Sequence, residues 1–330
     1  MIQSQYVGLL HPVARLLRGD GYMIITVTMN PAVDKTAELE DFVLGGVNRL
    51  KNVVMDAGGK GINVSQTLRV LNKPNMACGF LAGPNGDTIR LALQKQMIMS
   101  DFVTVAGGET RCNLKVKSIF GMTEFDEPGP KVSEEELQLL MDKLKRHAKP
   151  GTMFVLAGSL PEGVPTDIYK TMTEMLHQCG CKVFLDTGGE ALRLGLEAQP
   201  EYIKPNLAEL RDLFDYRDEF ASNEAMVAWT KEKAVELLGR GPRMVAVSLG
   251  ASGGVFTDGI ETIYAPAKKV DVISPVGAGD AMTAAIAYCL DSNMHFHDTI
   301  RYAIAVSCGA CTTDGTKPPS REVIVQLLRQ

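Results

Sequence analysis

Six short apolar runs recur along the chain, and each is continuous rather than alternating: MIITVTM (23–29), ACGFLAG (77–83), TMFVLAG (152–158), KVFLDTG (182–188), YIKPN (202–206) and MVAVSLG (244–250). A strand with one wet face alternates apolar and polar residues. A strand without that alternation is buried on both faces, as in a parallel sheet covered by helices. Helical patterns fill the intervals, over 61–71, 87–97, 133–148, 166–180 and 223–241. Repeated strand–helix units of this kind specify a doubly wound α/β sheet. Ser133 and Glu136 have the spacing of a capping box, and the acid run SEEE suits the first turn of a solvated helix.

The alternation breaks in three places. Residues 31–56 and 103–125 read as extended strands without intervening helices, a small β-structured excursion over one edge of the core. After the last strands come three helical stretches, 279–292, 298–313 and 320–329. Residues 1–22 are expected to lie outside the fold as an extension. Their arginines follow the short apolar stretch instead of preceding it, which is not the order of a signal peptide.

At 330 residues the chain has room for one large domain or two smaller ones. No apolar run approaches the ~20 residues that span a bilayer. A net charge of -5 argues against nucleic acid or an anionic membrane as a partner. The seven cysteines sit mostly inside apolar segments, as expected of reduced thiols in a cytoplasmic protein. Cys308 and Cys311 read as small residues of a tightly packed helix, and no zinc site is expected.

In an open α/β sheet, ligands bind beyond the carboxyl ends of the strands. Polar residues gather at four such ends. Asn30, Pro31 and Asp34 follow the first run, and Gly158, Ser159 and Pro161 the third. Lys204, Asn206 and Glu209 follow the fifth, and Ser248, Gly250 and Gly253 the sixth. Each cluster alone also reads as turn chemistry; their convergence on one rim marks a candidate site.

The stretch PVGAGDAM (275–282) carries the most chemistry. Gly277, Ala278 and Gly279 leave their backbone N–H groups unshielded. If a helix starts there, those groups form an anion site at the positive end of its dipole. Asp280 then lies in the first turn. It reads either as a capping acid or as a base that takes a proton from a hydroxyl attacking a bound phosphate. AGGKGINV (57–64) has neither P-loop nor dinucleotide spacing, but pairs small residues with Lys60 and with Asn63 at a helix start. In GETRCNLKV (108–116), Arg111, Asn113 and Lys115 recur at period two and share one strand face. That face suits a phosphate ester on a small polyol, or is simply solvated.

With these residues in view, the chain resembles the PfkB/ribokinase family of sugar kinases from about Met23 to its C-terminus. Within the family it is most similar to the branch acting on fructose 1-phosphate and tagatose 6-phosphate. TMNPAVD, GGKGINV, GETRCNLK, AGSLPEGVP, KPNLAEL, VSLGASGG and PVGAGDAM carry the resemblance, and TEFDEPGP points to the fructose-1-phosphate kinases. The implied fold is a ribokinase-like three-layer α/β/α core, with a mainly parallel sheet and a small β-sheet lid. The lid segments, about 31–56 and 103–125, would be inserted in one kinase domain spanning 23–330.

The resemblance implies Asp280 as catalytic base and the N–H groups from Gly277 through Ala278 and Gly279 to Asp280 as an anion hole. Lys60 would stabilise charge on the transferred group. Asp34, Gly58, Gly59 and Asn63 would hold the sugar, with Ser159 nearby. Arg111 would bind the phosphate already on it, with Asn113 on the same face and help from Arg49 and Lys115. Lys204, Asn206 and Glu209 would face ATP and Mg2+, Glu209 through water, while Ser248, Gly250 and Gly253 would line the nucleotide site. A cytoplasmic homodimer paired through the lid is implied, with neither nucleic acid nor membrane as partner.

The implied reaction converts D-fructose 1-phosphate and ATP to D-fructose 1,6-bisphosphate and ADP. Tagatose 6-phosphate and fructose 6-phosphate are the alternative acceptors. Retention of Asp280, Glu209 and the glycines speaks against a non-catalytic sugar-phosphate sensor, and the missing dinucleotide fingerprint against a dehydrogenase. Three departures stand out: Gly188 and Ala157 occupy positions where serine is frequent among relatives, and the N-terminal extension has no counterpart in the family pattern.

Overall fold

The computed structural model describes residues 23–330; the extension expected over 1–22 lies outside the described residues. All six apolar runs form strands of one nine-stranded sheet. Its parallel part runs in the order β11 (Met244–Ser248), β10 (Tyr202–Ile203), β9 (Lys182–Asp186), β8 (Met153–Ala157), β1 (Ile24–Thr28), β4 (Asn75–Leu81) and β5 (Met99–Thr104). β12 (Gly254–Thr257) and β13 (Thr262–Ala265) extend it antiparallel. β5, β12 and β13 are strands that continuous apolarity does not reveal. β5 is an edge strand, half exposed, and carries polar residues accordingly.

Helices cover both faces. On one side pack α3 (Glu134–His147), α4 (Ile168–Gln178), α5 (Gly189–Leu196), α6 (Leu207–Leu213) and α7 (Asn223–Leu238), against Ile25, Val27, Phe154 and Leu185. On the other lie α1 (Lys60–Val70), α2 (Gly83–Lys95), α8 (Ala278–Asp291), α9 (Phe296–Ala310) and α10 (Arg321–Arg329), against Ile24, Ala77, Val155 and Phe184. Neighbouring strand residues thus serve opposite cores, as a period of two requires. Each fully buried Leu, Val or Phe in these layers stabilises the fold by about 1.5–3 kcal/mol. α2 begins four residues earlier than its apolar pattern, because Pro84 sits in its first turn and is tolerated there. The capping box of Ser133 and Glu136 opens α3.

The two extended segments build a second, four-stranded sheet in the order β3 (Lys51–Gly58), β2 (Ala32–Glu38), β6 (Arg111–Ser118) and β7 (Gly121–Phe125). Its second contribution starts only at Arg111, since residues 99–104 belong to the large sheet. One face carries the cross-strand row Asp56, Asp34 and Asn113, with Thr36 paired to Lys115 beside it. The opposite face carries Met55, Lys35, Leu114 and Phe125 in line.

Candidate active site

The loop after β13 turns into α8 through Gly277, whose φ of 79° and ψ of -6° are left-handed. That conformation favours glycine, and a Cβ there would also come within 3.4 Å of Thr316 Cα. No side chain caps α8. Of the first-turn N–H groups, Ala278 makes a long bond to Pro275 O at 3.4 Å. The N-terminus therefore keeps its anion-binding character.

Asp280 is buried in this first turn, and its Oδ2 accepts a hydrogen bond from Asn63 Nδ2 at 2.7 Å. Asn63 belongs to the first turn of α1, which starts from Gly59. Burial pushes the Asp280 carboxyl up to about 6, and the charge of Asp186 adds to the rise; Lys60, Asn63 and Lys204 oppose it.

Asp186, at the C-terminal end of β9, was singled out by no motif, yet it joins Lys60, Lys204 and Thr283. Its buried carboxylate pairs with Lys60 Nζ at 3.1 Å and Lys204 Nζ at 3.5 Å, and accepts from Thr283 Oγ1 at 2.5 Å. Burial alone would raise its pKa, but Lys204, Lys60 and the Thr283 bond hold it below the usual carboxylate value. Lys60 also reaches Glu209 Oε1 at 3.3 Å. Burial works against its charge, yet Asp186, Glu209 and Asp280 keep its pKa above that of an ordinary lysine. Two neighbouring acids are thus driven apart, one firmly ionised and one poised near neutrality, the pattern of an acid–base site. The sequence signal for Asp186 was an acid closing a buried apolar strand.

Asn206 and Glu209 form a capping box at the start of α6. Asn206 Oδ1 accepts from Glu209 N at 2.9 Å, and Glu209 Oε2 accepts from Asn206 N at 2.8 Å. The Asn206 carbonyl is therefore engaged by the helix, while Glu209 Oε1 stays directed at Lys60. Gly188 abuts Glu209: a Cβ there would lie 2.9 Å from Glu209 Cγ. Lys204 Nζ sits 3.6 Å from where a Cβ on Gly279 would stand, beside the first turn of α8.

On the small sheet, Asp34 Oδ2 pairs with Lys115 Nζ at 3.1 Å, and Asp34 Oδ1 accepts from Asn113 Nδ2 at 3.4 Å. The carboxylate lies over Gly58, where a Cβ would come within 2.2 Å of it. Lys115, which the resemblance places as a helper of Arg111, is buried and paired with Asp34. Arg111 Nε donates to Asn30 O at 3.2 Å, and its Nη1 to Glu127 O at 3.4 Å.

Other expected residues are less engaged. Arg49 is exposed in the loop before β3 and makes no ion pair or hydrogen bond among the described residues. Ser159 is exposed just past Gly158 and has no hydrogen-bond partner there either. Ser248 bridges to Asn206, and Gly250 opens to solvent. Gly253 is buried against the backbone at Ala265–Ala267, which gives its lack of a side chain a packing reason.

A family model described as pfkB family carbohydrate kinase matches residues 27–322. The 1-phosphofructokinase of Borreliella burgdorferi is 35% identical over 284 residues, covering 86% of this chain and 90% of that protein. That of Bacillus subtilis is 32% identical over 306 residues, covering 93% and 97%. Among solved structures, phosphofructokinase-2 from Escherichia coli aligns with a TM-score of 0.85 at 26% identity, covering 93% of this chain and 98% of that one.

Proposed function

Because the chain belongs to the pfkB family of carbohydrate kinases, we propose that it transfers the γ-phosphoryl group of ATP to the free terminal hydroxyl of D-fructose 1-phosphate. The products are D-fructose 1,6-bisphosphate and ADP. The observation that carries the chemistry is the buried Asp280 in the uncapped first turn of α8, with Lys60 and Lys204 gathered beside it. The acceptor is supported by the 1-phosphofructokinase relatives, which match along most of the chain.

The acceptor oxygen attacks the γ-phosphorus, the bond to the β,γ-bridging oxygen breaks, and ADP leaves with the electron pair. Asp280 takes the hydroxyl proton. Asn63 holds the carboxylate in place, and the N–H groups of Gly277, Gly279 and Asp280 receive charge on the transferred group. Asp186 orients Lys60 and Lys204 toward that group. Asp34 and Asn113 bind acceptor hydroxyls, and Arg111 binds the phosphate already present. The small sheet excludes water over the acceptor.

The donor set suits Mg2+. Among the described residues no group of three or more His, Cys, Asp and Glu side chains forms a cage, while Glu209 offers a carboxylate beside Lys60. A single carboxylate is enough for a cation that keeps several waters and leans on substrate phosphates, so Glu209 would hold Mg2+ through water. Such an ion would supply positive charge against the nucleotide phosphates.

A second acceptor has a specific observation behind it: phosphofructokinase-2 solved with fructose-6-phosphate aligns with a TM-score of 0.83 at 25% identity. ADP release with MgATP, measured against fructose 1-phosphate, fructose 6-phosphate, tagatose 6-phosphate and fructose, separates the readings. We expect the highest kcat/KM with fructose 1-phosphate. A preference for either 6-phosphate keeps the chemistry and reverses the acceptor in the site.

A further inference from the structure

We propose that Asp56 is a positioning residue, fixing the small sheet against the turn that braces the phosphate-facing glycines; the inference rests on the kinase reading above. Asp56 belongs to none of the motifs. It lies next to Asp34 in the row Asp56, Asp34 and Asn113 on the polar face of the small sheet. Its carboxylate meets the turn at Gly315, where a Cβ would stand 2.6 Å from Asp56 Oδ2 and 3.5 Å from Thr36 Oγ1. Gly315 has a φ of 63°, so this turn requires glycine for its conformation as well as for space.

Three polar atoms at this junction are buried without a hydrogen-bond partner: Asp56 Oδ2, Thr36 Oγ1 and Thr316 Oγ1. Such atoms cost stability and call for an explanation. Burial raises the Asp56 carboxyl, Lys317 opposes the rise, Asp34 and Asp314 add to it, and Lys115 opposes it.

The far side of the same turn is fastened to the phosphate-facing segment. Ser274 Oγ donates to Gly315 O at 3.2 Å, and the N–H groups of Ile273 and Ser274 reach Cys311 O at 2.8 and 3.2 Å. Thr316 packs on Gly277, with its Cα 3.4 Å from where a Cβ would stand. One continuous set of contacts therefore runs from Asp34, through Asp56 and the 315–316 turn, to Gly277. The acceptor row and the anion-binding turn are set relative to each other through Asp56. A misplacement of 1 Å between reacting groups costs on the order of a hundredfold in rate.

The test compares the full-length protein with Asp56→Ala, Asp56→Asn, Gly315→Ala and the Asp56→Ala/Gly315→Ala double variant. MgATP is used with whichever ketohexose phosphate the wild type turns over fastest, and both ADP and sugar bisphosphate are measured. Lys51→Ala, at the exposed far end of the same strand, is the control. Asp56→Ala is expected to lower kcat at least tenfold, leave KM for MgATP within twofold, and release more ADP than bisphosphate. Gly315→Ala should do the same, the double variant should be no worse than either, and Asp56→Asn should recover part of the rate.

A folded Asp56→Ala enzyme with unchanged kcat overturns the proposal, as do fully additive losses or an unchanged ratio of ADP to bisphosphate. If Asp56→Ala does not fold, Asp56→Asn and Thr36→Val carry the same comparison. A wild type that phosphorylates no ketohexose phosphate overturns the kinase reading, and this proposal with it.

Discussion

Asp280 holds a charge that its surroundings resist. Its carboxyl titrates near 6 instead of 3.8, a difference worth about 3 kcal/mol. The folded protein holds this proton more tightly than the unfolded chain does. The penalty is therefore absent below pH 3.8 and complete above about 6. Asp280→Asn should accordingly raise the unfolding midpoint at pH 8, by an amount that shrinks as the pH falls toward 4. The same variant should lose about a hundred- to ten-thousand-fold in kcat while KM for both substrates stays within a few fold. Near-normal turnover would remove Asp280 as the base. In the wild type, kcat/KM should fall about tenfold per pH unit below about 6. Asp186→Asn removes the neighbouring negative charge and frees Lys60 and Lys204 to act on Asp280 alone, so this acid limb should move to lower pH. A limb that stays in place would mean that another group controls it.

Two helices begin with the same capping device, and only one of them borders the site. Ser133 and Glu136 open α3, and Asn206 and Glu209 open α6. Replacing either cap by Ala should cost about 1 kcal/mol in thermal or denaturant unfolding. The consequences for catalysis should differ. Ser133→Ala should leave kinetics untouched, whereas Asn206→Ala removes the Oδ1 acceptor of the Glu209 N–H, loosens the turn from which Glu209 reaches Lys60, and should raise KM for MgATP or lower kcat. Equal kinetics in the two variants would assign Asn206 to the helix alone. The small sheet follows the same logic by face. Its polar face carries Asp56, Asp34 and Asn113, while Met55 and Phe125 stay half exposed on the other, with Val43, Leu44, Val47, Ile119 and Phe120 exposed in the adjoining loops.

These exposed apolar side chains lie on the face that the homodimer implied by the family resemblance would cover. Analytical ultracentrifugation at micromolar concentration should show a dimer, and Phe125→Glu or Leu44→Glu should shift it toward monomer and raise the acceptor KM. A wild type that sediments as a monomer would refute the pairing. Among the described residues no helix is long and apolar enough to cross a membrane.

The layered core was legible in the chain because strands buried on both faces must be apolar throughout, and helices between them must carry an apolar stripe. Edge strands such as β5, and short helices such as α5 and α6, lack enough burial to leave that imprint. Asp280, Asn63 and Lys60 stood out because local backbone demands, a left-handed glycine and helix starts, dictate residue type at fixed spacing. The sequence by itself determined the strand–helix order and which residues sit at helix N-termini. Only the tertiary structure decided that Asp186 joins Lys60 to Lys204, that Lys115 is already paired with Asp34, and that Asp56 meets the Gly315 turn. Those contacts join segments far apart in the chain, and their partners are chosen by sheet order and strand register, which no local pattern of residues encodes.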